Sequence, residues 1–336
     1  MADAVAQAIR ARYETAVTGQ LSGTVTVHPR MAASTVAGVA TLLLSPSLAC
    51  SGAQAGHVQS GSAVIRITGS DTMVNLVQAW AERYKHVRPA VTVQVAGGGS
   101  GVGIAGLIDA TLDIAAASRE MRPAERQRAK ARHGGEPSEF IVALDALAVY
   151  VHKDNPLDSI SIEEHADIYG EQGSTAQWSQ LGVHDMHCPS NQIIRVGRQN
   201  NSGTFAYFRD IVLGSTREYK MGSIDQSGSK DVVALVSKTP CAIGYSGIAF
   251  ATAGVKALTI SARRGEPATM AAEHTVLDGS YPIARPLYFY TATEAGAHVK
   301  EFLDWVTEAD GQQIVRELGF VPVPRRGWSS RVRPQQ

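Results

Sequence analysis

The polar cluster Arg198-Gln199-Asn200-Asn201-Ser202-Gly203-Thr204-Phe205 lies between two runs of different period. Before it, Gln192 to Gly197 is short and rich in β-branched residues, which predicts a strand. After it, Phe205, Phe208, Ile211 and Val212 recur at helical spacing and stop at Gly214, which predicts a helix. The cluster therefore stands where a strand hands over to a helix N-terminus, with its free N–H groups and positive dipole end. Gly203 lets a ligand approach the backbone, Ser202 and Thr204 add hydroxyls, and Arg198 adds a fork of N–H donors. Such a set is an oxyanion cradle. The bland alternative is a capped helix beside a solvated arginine.

The same pattern recurs upstream. Ala63 to Thr68 reads as a strand, broken by Gly69-Ser70-Asp71-Thr72. A helix follows with Met73, Leu76, Val77, Trp80 and Tyr84 on one face, ending near Arg88-Pro89. Val91 to Val95 is the next strand, followed by the glycine loop Gly97 to Gly103 and a short helix bearing Ile104, Leu107 and Ile108. Leu112 to Ala116 is a third strand and ends in Ala117-Ser118-Arg119. Open α/β sheets gather ligands at the carboxyl ends of their strands, so several hydroxyl-rich strand ends meeting at one point would surround an anion. Further on, Phe140 to Val151 is a long apolar strand that can cross between two lobes, and Pro282 to Tyr290 returns as another strand. Val299, Phe302, Leu303 and Val306 lie on one late helix face, and Ile314, Val315 and Leu318 on a second.

The length of 336 residues suits about two domains, and the formal net charge of +0 gives no basic field for nucleic acid. Three cysteines exclude a disulfide-dense scaffold. Cys50 follows His28-Pro29-Arg30 and an apolar run from Met31 to Ala49, a sequence that describes an export signal. Ser47-Leu48-Ala49-Cys50 is similar to a bacterial lipoprotein box, which makes Cys50 a lipidation candidate, although Ser47 replaces the usual aliphatic residue. Plain signal-peptidase cleavage is the other outcome. Residues 51–62 read as a tether. For Cys188 and Cys241, a disulfide in an oxidising compartment and two free thiols both stay open.

Competing chemistries find little support. Gly101-Val102-Gly103-Ile104-Ala105-Gly106 matches the dinucleotide fingerprint formally, but no strand ending in an acid follows at the required distance. Ser227-Gly228-Ser229-Lys230 has the Ser-x-x-Lys spacing of penicillin-interacting hydrolases without their companion motifs, and reads as a chance match. His184, His187 and Cys188 lack a fourth metal ligand. Trp80 and Trp305 read as core.

Five stretches in order, GSDTMVNLVQAWAERY (69–84), GGGSGVGIAGLIDATLDIAAASREM (97–121), EFIVALDALAVYVHKDNP (139–156), GRQNNSGTFAYF (197–208) and AIGYSGIAF (242–250), closely resemble the phosphate-binding proteins of bacterial phosphate ABC transporters, the PstS family. The resemblance runs from about residue 63 to about 325. It implies an α/β chain with the two-lobed periplasmic-binding-protein fold (type II), each lobe a mixed sheet flanked by helices, closing over one phosphate. The expected division is an N-terminal extension, signal and tether (1–62), lobe 1 (63–148), lobe 2 (149–280) and a return to lobe 1 with a C-terminal tail (281–336).

Carried over by position, the resemblance places phosphate against Ser70, Thr72, Ser100, Gly101, Ser118, Arg198, Ser202, Gly203 and Thr204. It implies no cofactor, no metal and no catalysis. The expected partners are inorganic phosphate and a permease with its ATPase, the membrane is met only through a lipid anchor or that permease, and the protein is expected to be a monomer. Another tetrahedral oxyanion (sulfate, molybdate, tungstate) or a phosphate-ester hydrolase on the same fold are the alternatives.

One departure matters. Many family members have Ala-Ser-Asp at the third strand end, the Asp accepting the ligand's proton; here it is Ala117-Ser118-Arg119. Hydrogen phosphate has a proton to donate and sulfate has none, so an acceptor carboxylate discriminates between them. Asp145 is the first candidate, because a carboxylate in an apolar strand is costly unless it is used. Its bland alternative is a hinge or structural hydrogen bond. Asp71 reads first as a helix cap and Arg119 as a structural ion pair, each with a lesser claim on the ligand.

Overall fold

The computed structural model describes residues 63–184, 188–214 and 216–324. The export signal, Cys50, the tether and His187 lie outside the described residues.

Strand β1 (Ala63–Gly69) alternates, with Ile65 and Ile67 turned into the core, and pairs in parallel with β2 (Val91–Ala96) and β3 (Ile114–Ala117). Between β1 and β2 runs α1 (Val74–Val87), whose buried stripe is Leu76, Val77, Trp80 and Tyr84. Trp80 packs edge-on against Phe289, and its indole N–H donates to the Gly311 carbonyl at 2.8 Å. That bond ties α1 to the last helix, α9 (Ala309–Glu317), as the apolar spacing of both predicts. The helix α2 (Ser100–Ile108) starts at Ser100, four residues before the first residue of its predicted stripe, Ile104. A solvated helix, α3 (Pro123–His133), follows β3.

The central element is β4 (Ser138–His152), 15 residues long and so about 50 Å from end to end. It serves two sheets in turn. Residues Ser138 to Ala146 pair with β11 (Ala284–Thr291), which also pairs with β3; Leu147 to Val151 pair with β8 (Ala242–Gly247). Beyond β8 come β6 (Ile194–Arg198) and β7 (Ile224–Gln226), giving the order β2-β1-β3-β11-β4-β8-β6-β7. Three short strands complete the set: β5 (Ser159–Ser161) pairs with β10 (Thr259–Ser261), and β9 (Val255–Ala257) lies beside β4. The chain thus forms two α/β lobes strung on one strand, and β4 changes lobe at Ala146–Leu147.

In the second lobe α4 (Ile162–Tyr169) is capped by Ser161 and Glu164. The predicted helix after Ser202 divides into α5 (Gly203–Phe208) and a π-helical turn, Arg209–Leu213, closed by Gly214 at φ 73°. Then come α6 (Ser229–Val236), α7 (Glu273–Leu277) and, after β11, α8 (Ala297–Thr307). Cys188 and Cys241 are joined by a disulfide, with Cα atoms 5.1 Å apart, pinning the loop before β6 to the start of β8. Cys188 is therefore no metal ligand beside His184. Among the described residues no helix is long and apolar enough to cross a membrane.

Candidate functional site

The strand ends do converge. β1 runs out through Ser70 and Thr72, β3 through Ser118, and β6 through Arg198 to Ser202, while α2 begins at Ser100 and α6 at Ser229. The Thr72 hydroxyl lies 3.1 Å from that of Thr204 and 3.3 Å from that of Ser229, so the first and second lobes touch through hydroxyl groups. Ser70 donates to the Ser118 hydroxyl at 2.9 Å, and the Ser118 amide donates to Ser100 Oγ at 3.0 Å. All of these side chains are buried. A Cβ on Gly203 would collide with Ser100 Oγ and stand 2.6 Å from Ser118 Oγ, so only glycine lets α5 come this close. Ser202 caps that helix, its oxygen accepting from the Thr204 amide at 3.1 Å, which leaves the hydroxyl proton free to donate. The Gly101 amide is spent across the cleft on the Asn201 carbonyl at 3.0 Å.

Arg198 is fully buried, not the solvated arginine of the bland reading. Its guanidinium donates to Ser229 Oγ at 2.9 Å, to the Ser227 carbonyl at 2.8 Å and to Asp71 Oδ2 at 3.2 Å. Burial lowers its pKa from the usual arginine value, and the Asp71 carboxylate works against that shift. Asp71 does not cap a helix: its other oxygen accepts the Gly98 amide at 2.9 Å, and the residue before α1 is Met73. With both oxygens engaged, Asp71 is a clasp between the glycine loop and Arg198. Arg119 is also settled away from the cradle. It turns to the first turn of α3 and grips Glu125 through two nitrogens, each at 2.7 Å, the fork that suits a carboxylate.

Asp145 sits one residue before the last paired position of this part of β4, directly opposite Arg285 on β11. Arg285 Nε and Nη2 both donate to Asp145 Oδ2, at 3.0 and 2.8 Å. Arg285 also reaches Thr204 Oγ1 at 3.1 Å and the Ser118 carbonyl at 3.2 Å, and its guanidinium lies 5.5 Å over the Tyr207 ring. Asp145 Oδ1 is buried and has no hydrogen-bond partner among the described residues. Burial raises the pKa of Asp145 above the ordinary carboxylate value, with Arg285 opposing. Gly247 faces this oxygen: a Cβ there would stand 2.8 Å from Oδ1. The pair combines the structural bond and the free acceptor that sequence reasoning set against each other.

Two groups were missed. Arg285 is a single charge in the apolar run Pro282 to Tyr290, so the argument that singles out Asp145 applies to it equally. Ser227 and Ser229, weighed only against a hydrolase motif, hold Arg198. Their signal was the Gly228 turn opening a helix, the same pattern as at Arg198.

A family model described as the PBP superfamily domain matches residues 53–310. The phosphate-binding protein PstS of Pseudomonas aeruginosa is 32% identical over 268 residues, covering 77% of this chain and 82% of that protein. The chain belongs to the PstS family. The Bacillus subtilis phosphate-binding protein PstS is 31% identical over 79% of this chain and 82% of its own length. Among solved structures, a protein from Clostridium perfringens, assigned as a phosphate ABC transporter substrate-binding protein and holding bound phosphate, superposes with a TM-score of 0.69 at 27% identity. It covers 78% of this chain and is itself covered completely. An ABC-type phosphate transport receptor from Vibrio cholerae, with a TM-score of 0.61 at 24% identity over 76% of this chain and 99% of that one, shares the fold.

Proposed function

We propose that this protein captures inorganic phosphate between its lobes and delivers it to the permease of an ABC transporter. The observation that carries the reading is Asp145 Oδ1, a buried acceptor without a partner among the described residues, on a carboxylate whose partner Arg285 also reaches Thr204 in the hydroxyl cluster. The hydroxyls of Thr72, Ser100, Ser118, Thr204 and Ser229 now lie within hydrogen-bond distance of one another, and that of Ser202 accepts the Thr204 amide. A tetrahedral oxyanion takes over these bonds, receives Arg198 and Arg285, and gives its proton to Asp145 Oδ1. An anion without a proton meets the same carboxylate as a repulsion. Two guanidiniums face two carboxylates, so the site holds its ligand by fixed dipoles and hydroxyls, with little net charge.

Lobe 1 (63–148) and lobe 2 (149–280) move as the closing parts, with β4 and β11 as the connection. Similarity to PstS proteins supports an exported, monomeric carrier, held by a lipid on Cys50 or free after cleavage, that works without a cofactor and performs no catalysis. Calorimetry on residues 51–336 with phosphate, sulfate, molybdate and arsenate in turn tests the reading. Phosphate is expected to bind and sulfate to fail; silence with phosphate, or sulfate binding as tightly, overturns it.

A further inference from the structure

Strand β6 presents Arg198 to the phosphate cradle and therefore Gly197 to the opposite face. On that face a cavity of about 640 Å³ opens in the second lobe. Its aromatic wall includes Phe205, Tyr219 and Tyr245, with the Phe205 and Tyr219 rings 4.4 Å apart. Gly197 forms part of the floor. A Cβ there would lie 2.7 Å from Asp225 Oδ1, 3.7 Å from the Tyr245 hydroxyl and 3.8 Å from Ser223 Cβ. The backbone at Gly197 is ordinary extended strand, so it is the space that requires glycine there. Ser223 Oγ is buried without a partner among the described residues, and Asp225, an exposed residue lining the same cavity, forms no ion pair among them. Partial burial raises the Asp225 pKa, as for a carboxylate short of a counter-ion. The one lysine in the wall, Lys220, has its ammonium bound to the Gly173 carbonyl at 2.7 Å.

A carboxylate, two hydroxyls and an aromatic wall around one concavity match the needs of an organic cation. The carboxylate supplies a charge-assisted bond and the wall an apolar surface for the alkyl part. We propose that this cavity is a second binding site, for a small organic cation carrying an alkylammonium or guanidinium group, with Asp225 as its anchor. The site shares β6 with the phosphate cradle but none of the groups assigned to phosphate, so its test is independent of that reading.

Calorimetry with agmatine and with tetramethylammonium, against the uncharged n-butanol, tests the proposal on the full chain. Binding of at least one cation is expected, with none for the alcohol. Asp225→Asn is expected to weaken it by about tenfold or more, the loss of one charge-assisted bond, while leaving phosphate binding unchanged. Gly197→Ala fills the floor and is expected to abolish it. Absence of cation binding in the wild type, or an affinity unmoved by Asp225→Asn, overturns the proposal. The Asp225→Asn arm decides the matter if Gly197→Ala does not fold.

Discussion

Two acid–base pairs meet the cradle, and they are built differently. Asp145 and Arg285 face each other across adjacent antiparallel strands, with side chains 0% and 1% exposed. Their register is set by the whole β4–β11 ladder, and neither can leave without opening the sheet. Asp71 and Arg198 join a loop of the first lobe to a strand end of the second, and Asp71 is 22% exposed. Its geometry exists only while the lobes are together. One pair is therefore part of the frame formed by β4 and β11, and the other is a clasp between the lobes. The frame keeps one carboxylate oxygen, Asp145 Oδ1, without a partner among the described residues; both oxygens of Asp71 in the clasp are engaged.

Removing one partner of the frame gives the largest effect. Arg285→Ala strands a buried carboxylate and should cost about 3–5 kcal/mol in stability, read by denaturant unfolding. A loss comparable to a surface substitution would break the comparison.

Acid sharpens the contrast by loosening one lobe. His165 lies buried in α4, packed edge-on against Phe208, with its pKa pushed down to about 4 by burial. A folded-state pKa below the unfolded value means that its contribution is complete above about pH 6.5 and is lost as pH falls toward 4. The drop should be on the order of 3 kcal/mol across that window, and His165→Phe should flatten it. Hydrogen exchange is expected to open α4, β6 and the clasp before β4 and β11. Simultaneous loss of protection in both regions would count against a frame that stands apart from the clasp.

Gly247→Ala probes the free oxygen without touching charge. Its Cβ would press on Asp145 Oδ1 at 2.8 Å, so about 1–3 kcal/mol of strain is expected. Phosphate affinity should fall with it. Asp145→Asn should weaken phosphate by roughly tenfold to a hundredfold and narrow its margin over sulfate, as measured by calorimetry. Unchanged discrimination would sink Asp145 as the acceptor.

The smallest effect belongs to the clasp. Asp71→Asn should change stability by about 1 kcal/mol or less, because the pair is partly in water. Its influence should appear in the rate of phosphate release, followed by stopped-flow. A stability loss as large as that of Arg285→Ala would erase the distinction between the pairs.

Much of this was legible in one dimension. The strand, hydroxyl-bearing turn and helix at Gly69–Thr72, Gly97–Gly101 and Arg198–Thr204 announce themselves because β-branched runs, glycines and helical stripes are local signals. Asp145 stood out because a carboxylate among Val142, Ala143, Leu144, Ala146 and Leu147 demands a partner. The partner itself was not legible, since Arg285 is brought opposite by a register between segments 140 residues apart. Asp71 misled because a turn that ends in Thr72 before a helix looks the same whether its acid caps the helix or crosses to another lobe.

The sequence by itself determined the α/β class, the family and the hydroxyl-bearing strand ends, because each depends on short-range pattern and on the order of motifs. Only the tertiary structure decided which charges meet. It placed Arg198 on Asp71 and Ser229, turned Arg119 away to Glu125, and set two nitrogens of Arg285 on a single oxygen of Asp145. The physical reason is that a buried charge is stabilised by whichever partner the fold brings within about 3 Å, and that proximity is a property of sheet register and lobe contact, which no local run of residues contains.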